Sequence, residues 1–257
     1  MNPETYLIFD VETYPDKSLV QGVYGKSAEQ LREDLVSRKE SSFLPPIFHI
    51  PIVVSVIEIS ADFNVRRVEV QTSPVEQERE LLSNFWRMCN SLAEHSPGGK
   101  PRGCLVTFNG SRFDLRVLEL RALKYGLRGN MVFRSPEYHF DIPLFLSNFD
   151  EGSRRGLSLK ALSKLIDLPG KSLLEGSEVE SAYDRGETRQ ISEYCLLDTI
   201  QTYLLFLRCL VLQGKEEEAY AKGFQSLVRH LSFSPNPVVR GACQHLGTSI
   251  HLFQGAT

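Results

Sequence analysis

TYLIFDVET, residues 5–13, begins as a buried strand and ends as something else. Leu7, Ile8 and Phe9 form an apolar run that predicts a strand, yet Asp10 and Glu12 follow at once. Side chains alternate along a strand, so residues two apart leave the same face. Asp10 and Glu12 therefore place two carboxylates side by side on an element that is otherwise apolar. Buried carboxylates are costly unless they are paired or hold a cation, and two hard oxygen donors suit Mg²⁺ or Mn²⁺. A DxE pair taken alone also fits a polar strand end whose Asp10 hydrogen-bonds to a turn.

Two further acids stand where solvated charges are not expected. In FNGSRFDL, residues 108–115, a strand runs into Asn-Gly and then into a helix over 112–126, with Ser111 as its candidate N-cap. That places Asp114 in the first helical turn at the end of a sheet, a position the helix dipole alone would also favour. In YCLLDT, residues 194–199, Tyr194 and Asp198 are four apart on a long apolar helix predicted from Thr188 to about Gln213, so they stack on one face. Taken alone, this pair fits a core helix whose Asp198 meets an arginine or a backbone amide.

The rest of the chain supplies a frame for these motifs. Residues 14–26 read as a loop, and Ser27 with Gln30 forms a capping box opening a helix to about Arg38. PIVVSVIEIS and NVRRVEVQ read as a hairpin joined by Ala61–Phe63. A helix follows from Ser73 or Pro74 to about Glu94, with Leu81, Leu82, Phe85, Trp86, Met88 and Cys89 as its apolar stripe. GCLVTFN is a fourth strand, and YHFDIPLFL a short fifth strand running into a turn or helix. LSLKALSKLI is a short helix, LPGKS a turn, and SEVESAYDRG a helix ended by Gly186. The order gives an α/β fold: a mixed sheet covered by helices, over residues 1–214. Residues 215–257 form a helical tail of one or two elements.

Composition narrows the class. At 257 residues, 42% hydrophobic and 24% charged, the chain can bury a full core as one large domain. The longest apolar run, LLFLRCLVL, is broken by Arg208, so no membrane-spanning segment is expected, and the N-terminus lacks a signal-peptide pattern. Five cysteines without a CxxC pair suit buried reduced thiols and a cytoplasmic location. The net charge of −3 conceals an asymmetry: residues 100–171 carry 13 basic and 7 acidic side chains. That segment has the electrostatics of a polyanion-binding surface or of solvated helix faces. The six histidines show no metal-ligand spacing, and LPGKS lacks the first glycine of a phosphate loop.

Together the three motifs resemble the DEDD superfamily of 3′–5′ exonucleases, in the branch with a tyrosine in its third motif. FDVET matches the first motif, FNGSRFDL the second and YCLLD the third. The resemblance is closest to the proofreading exonuclease of family-B DNA polymerases and, more narrowly, to a stand-alone predicted exonuclease family related to that domain. FLPPIFHIPIVVSV and LPGKSLLEGSEV also look like that narrower family, and the resemblance covers roughly residues 5–210. It implies a ribonuclease H-like fold with a five-stranded sheet, and two divalent cations, Mg²⁺ or Mn²⁺. Asp10, Glu12 and Asp198 would hold the first cation, Asp114 would act on the second, and Tyr194 would orient the attacking water. The implied substrate is single-stranded nucleic acid with a free 3′ end, DNA ahead of RNA, cut to nucleoside 5′-monophosphates. Candidate substrate contacts are Phe108, Asn109, Phe113, Arg112, Lys160 and Lys171, by stacking or by phosphate pairing. An exoribonuclease and a non-catalytic nucleic-acid-binding module are the competing readings. The second is usually marked by loss of a metal ligand, and here all four are present.

Overall fold

In the computed structural model, which describes residues 3–94, 100–154, 156–168, 174–214 and 217–246, TYLIFDVET opens the central strand. The elements in chain order are β1 (Thr5–Pro15), α1 (Lys17–Tyr24), α2 (Ala28–Ser37), β2 (His49–Ser60), β3 (Val65–Thr72), α3 (Glu78–Leu92), β4 (Gly103–Thr107) and α4 (Asp114–Tyr125). There follow β5 (His139–Asp141), α5 (Ile142–Leu146), α6 (Leu159–Leu165), α7 (Val179–Asp184), α8 (Thr188–Leu212), α9 (Glu217–Ser232) and α10 (Pro237–Leu246). The sheet runs β3-β2-β1-β4-β5, the first three strands antiparallel and β4 and β5 parallel to β1. This is the mixed five-stranded sheet flanked by helices expected from the element order.

The alternation of β1 sorts its side chains onto two cores. Leu7, Phe9 and Val11 face α3 and α4, packing with Leu82, Phe85, Trp86 and Leu118. Ile8 faces the other way, into the core built on α8 with Leu196, Ile200 and Leu204. By the same parity Asp10 and Glu12 face α8. Pairing with β4 ends at Ile8 opposite Val106, so both acids lie beyond it, past the carboxyl end of the parallel pair. Open α/β sheets bind their ligands in that place. The β1–β2 register also shifts between Glu12 and Thr13, and irregularities of this kind re-aim side chains beside sites.

Local expectations fail in two places. Residues 17–24 are helical, because Asp16 caps that helix by accepting from the Leu19 N–H at 2.9 Å and Gly25 ends it at φ +66°. Ser111 does not cap α4: Phe113 holds that position and the helix starts at Asp114, while the Ser111 N–H is spent on Asp141 at 2.9 Å. The capping box at Ser27 and Gln30 is present as expected. The turn expected over LPGKS falls, apart from Leu168, outside the described residues.

By length and composition α8 could cross a membrane, contrary to the expectation drawn from uninterrupted runs, but 78% of its most apolar window is buried inside this fold. Arg208, which breaks the run, leaves the core by lying 4.0 Å over the Tyr220 ring. The tail packs onto the same body. Tyr220, Phe224, Leu227, Leu231, Val239 and Leu246 share one core with α8 and with Ile57 and Val68. Gly223 permits that approach, since a Cβ there would lie 2.7 Å from the Tyr203 hydroxyl.

Candidate active site

Four carboxylates and one phenol converge where β1, α4 and α8 meet. Asp10 stands opposite Ser55 in the β1–β2 register, and Ser55 fastens α8 in place. The Ser55 hydroxyl donates to the Cys195 carbonyl at 3.0 Å, and Thr199 donates to the same oxygen at 2.9 Å. The Cys195 thiol in turn reaches Ser55 Oγ at 3.2 Å and the Asp10 carbonyl at 3.5 Å. These bonds fix the turn of α8 that carries Tyr194 and Asp198. Ligand atoms of Asp10, Glu12 and Cys195 all lie within 4.8 Å of one another.

Asp114 arrives from the opposite layer. The loop that brings it there is tied by Asp141 at the end of β5, which accepts from the N–H groups of Asn109 and Ser111 at 3.2 and 2.9 Å. Asn109 holds φ +64°, a backbone conformation that Asn tolerates better than most residues. The Asp114 carboxylate then accepts from its own N–H and from that of Val11, so β1 itself helps hold it.

The electrostatics of this cluster are adverse as they stand. Burial pushes the Asp10 carboxyl well above its ordinary range, and the charges of Asp114 and Asp198 push it further. Glu12 is raised well above its ordinary range by burial and by Asp10, Asp198 and Asp114. Burial drives Asp114 up to about 7 and Asp198 up to about 6, the latter opposed by a hydrogen bond from Tyr194. The Tyr194 hydroxyl is itself raised, by burial first and then by Asp198, Glu12 and Asp10, and so remains a donor. Burial and the charges of Asp10 and Glu12 also keep Cys195 a thiol, which leaves the carboxylate oxygens as the ligand atoms. Hard, partly buried and mutually repelling oxygens fit divalent Mg²⁺ or Mn²⁺.

A pH prediction follows from these directions. A carboxyl whose folded pKa is raised binds its proton more tightly in the native state, so its stabilising effect is complete below pH ~4 and is lost as pH rises through the folded value. His49, lowered to about 4 by burial, and His139, also lowered, pull the other way below their ordinary value. The increment caused by metal isolates the cluster from them. Added Mg²⁺ or Mn²⁺ should raise Tm little at pH 5 and by roughly 5–10 °C at pH 8. Equal increments at both pH values in a thermal melt would contradict the cluster as the cation site.

The remaining candidates scatter. Phe113 is half-buried beside the carboxylates and touches the rings of Phe43 and His49. Phe108 packs against the α8 core. The Asn109 side-chain oxygen accepts from Arg154 at 3.2 Å. Arg112 is exposed in the loop before α4, on the wall of a cavity of about 490 Å³ shared with Arg116 and Arg134. Lys160 pairs with Glu175 at 3.1 Å, both well exposed. Lys171 lies outside the described residues. Sequence reasoning passed over Ser55 and Phe43, and gave Cys195 and His49 no role in the site. A serine inside the otherwise apolar IVVSVI, residues 52–57, was the available signal for the first.

Comparison with known proteins gives the family and the fold. A family described as a predicted 3′–5′ exonuclease related to the exonuclease domain of PolB matches residues 41–239. The match includes Asp114, Tyr194 and Asp198 and runs on into α9 and α10, while Asp10 and Glu12 precede it. Among solved structures, the family B DNA polymerase from the hyperthermophilic archaeon Pyrobaculum calidifontis shares the fold, with a TM-score of 0.52 at 16% identity. The superposition covers 94% of this chain and 27% of the polymerase. No curated protein sequence matches the chain.

Proposed function

We infer the chemistry from what the sequence match supplies: the chain belongs to the family of predicted 3′–5′ exonucleases related to the exonuclease domain of PolB. It is accordingly a hydrolase of phosphodiester bonds, and its substrate is nucleic acid. Our reading goes further, to a two-cation 3′–5′ exonuclease that trims single-stranded DNA from its 3′ end and releases nucleoside 5′-monophosphates. The observation that carries it is the convergence of Asp10, Glu12, Asp114 and Asp198 from three elements, each with a raised carboxyl pKa.

In this reading Asp10, Glu12 and Asp198 would hold one cation, and Asp10 and Asp114 would serve the second. The pair of cations, when bound, stabilises charge on the entering and leaving oxygens of an in-line displacement. Tyr194 donates its only hydroxyl proton to Asp198, so the phenol oxygen is left to accept from the attacking water and aim it at phosphorus. The water oxygen bonds to phosphorus as the bond to the 3′-oxygen breaks. The terminal nucleotide departs with a 5′-phosphate, and the shortened strand keeps a 3′-hydroxyl. The 3′-end polarity and the preference for DNA rest on the relation to the polymerase domain. An RNA strand would differ only through contacts to its 2′-hydroxyls.

A 5′-labelled single strand, prepared as DNA and as matched RNA, tests this with Mg²⁺ or Mn²⁺ and with excess chelator. The expected result is a ladder shortening from the 3′ end on DNA and silence in chelator. Faster loss of the RNA strand would reassign the substrate, and a ladder that persists in chelator would overturn the cation mechanism.

A further inference from the structure

Three packed rings, one of them next in the chain to Asp114, have no part in the reaction set out above. Phe43 and His49 stack with centroids 5.0 Å apart, and each meets Phe113 edge-on at 4.9 Å. Two anchors of this trio are chain neighbours of the cluster's acids. Thr13, next to Glu12, is hydrogen-bonded to His49 Nδ1 at 2.8 Å, and Phe113 is next to Asp114. His49 Nε2 reaches the Leu44 carbonyl at 3.0 Å, so Nε2 carries the proton and Nδ1 accepts from the Thr13 hydroxyl. Leu44 is buried in the small core under α1 and α2, which leaves Phe43 pinned between an anchored neighbour and a fixed imidazole. Yet Phe43 is 55% exposed. A phenylalanine held rigidly by two rings on one side and open to solvent on the other is a surface prepared for another flat apolar partner.

The charge of the site argues for what that partner is. Two divalent cations would only offset the four carboxylates and engage the scissile phosphate, so affinity for the rest of the strand must come from outside the cluster. Base–aromatic stacking supplies it without regard to sequence, and only an unpaired or frayed strand offers free base faces. On the exonuclease reading given above, we propose that Phe43 is a specificity-determining residue: its exposed face, set beside Phe113, stacks with the bases of a single strand as the 3′ end enters the carboxylate cluster. The residue comes from the segment between α2 and β2, so this segment rather than any metal-bearing element sets the preference for unpaired ends.

Two experiments test it. Phe43→Ala should raise KM for a single-stranded oligothymidylate about tenfold while changing kcat less than about twofold, and Phe43→Tyr should restore most of the loss. Separately, Phe43→Trp placed in Asp10→Asn protein, so that the strand is not consumed, should show tryptophan emission quenched by oligothymidylate and far less by a blunt duplex. The buried Trp86 sets the background. An unchanged KM in Phe43→Ala, or equal quenching by single strand and duplex, would overturn the proposal. If the wild-type protein degrades no nucleic acid yet the Phe43→Trp variant is quenched selectively by single strands, the exonuclease reading falls and the stacking surface stands. An active enzyme whose Phe43→Trp emission does not move removes the stacking surface alone.

Discussion

Asp10→Asn should lower exonuclease turnover by about 10³-fold or more while the metal-free protein becomes more stable. The two effects share one cause. The Asp10 carboxyl feels both Asp114 and Asp198, and Glu12 feels Asp10 ahead of those two. Replacing one oxygen by an amide keeps the shape and removes the central charge, so the remaining acids repel less and the fold relaxes. Removing a single group that stabilises transition-state charge commonly costs about 10²–10³-fold, and this side chain would face both cations. Sites that store repulsion of this kind exchange stability for activity. The measurement pairs single-turnover kinetics in Mg²⁺ with a thermal melt in chelator at pH 8. Turnover within about tenfold of wild type would remove Asp10 from the reaction, and a lower metal-free Tm would show that its charge is satisfied in some other way.

Arg121→Met should cost about 3–5 kcal/mol of stability, close to 10 °C in Tm, for the opposite electrostatic reason. Arg121 is 3% exposed and Glu78 is fully buried. The guanidinium grips Glu78 with two donors, Nε at 2.7 Å, and reaches Asp16 through Nη1 at 2.7 Å. Lys124 and Tyr125 complete the shell of Glu78 at 2.8 and 2.7 Å. Burial alone would raise Glu78, but these partners hold its carboxyl below the ordinary range, and Arg121 does the same for Asp16. Their contribution is therefore present above the unfolded pKa and is lost as pH falls through the folded one. Methionine would leave two carboxylates without their common cation, and adding Glu78→Leu should recover part of the loss. The network also has a positional consequence. Asp16 lies four residues past Glu12, and Arg121 lies two turns past Asp114 on α4, so one ion cluster couples the two elements that deliver those acids. Denaturant titration of Arg121→Met measures the cost, and a change under about 1 kcal/mol would show the network to be dispensable.

Much of the site was legible because its signals are local. Asp10 and Glu12 interrupt a strand, Asp114 follows an Asn-Gly turn, and Tyr194 and Asp198 share a helix face; the backbone period alone gives each of these placements. What escaped had no local signature. Residues 14–26 look like a loop because their helix is short and owes its start to Asp16, which the Arg121 network also holds. Ser111 resembles a cap in sequence, but the loop that Asp141, thirty residues downstream, ties through the Asn109 and Ser111 N–H groups continues to Phe113, and α4 starts at Asp114. Phe43 and His49 read as part of an ordinary approach to β2, and only folding sets them against Phe113.

The sequence by itself determined most of the elements and that the sheet is mixed, since periodicity is a property of the chain, and the order of its motifs marked the acids as a set through their resemblance to a known family. Tertiary structure alone decided that the acids meet. Asp10 and Asp198 are brought together by a serine on β2 holding one turn of α8, and Asp114 by an aspartate on β5 holding a loop. Those contacts join residues more than a hundred positions apart in one case and about thirty in the other. Their energy depends on burial and on hydrogen-bond partners supplied by other elements, which no local pattern encodes.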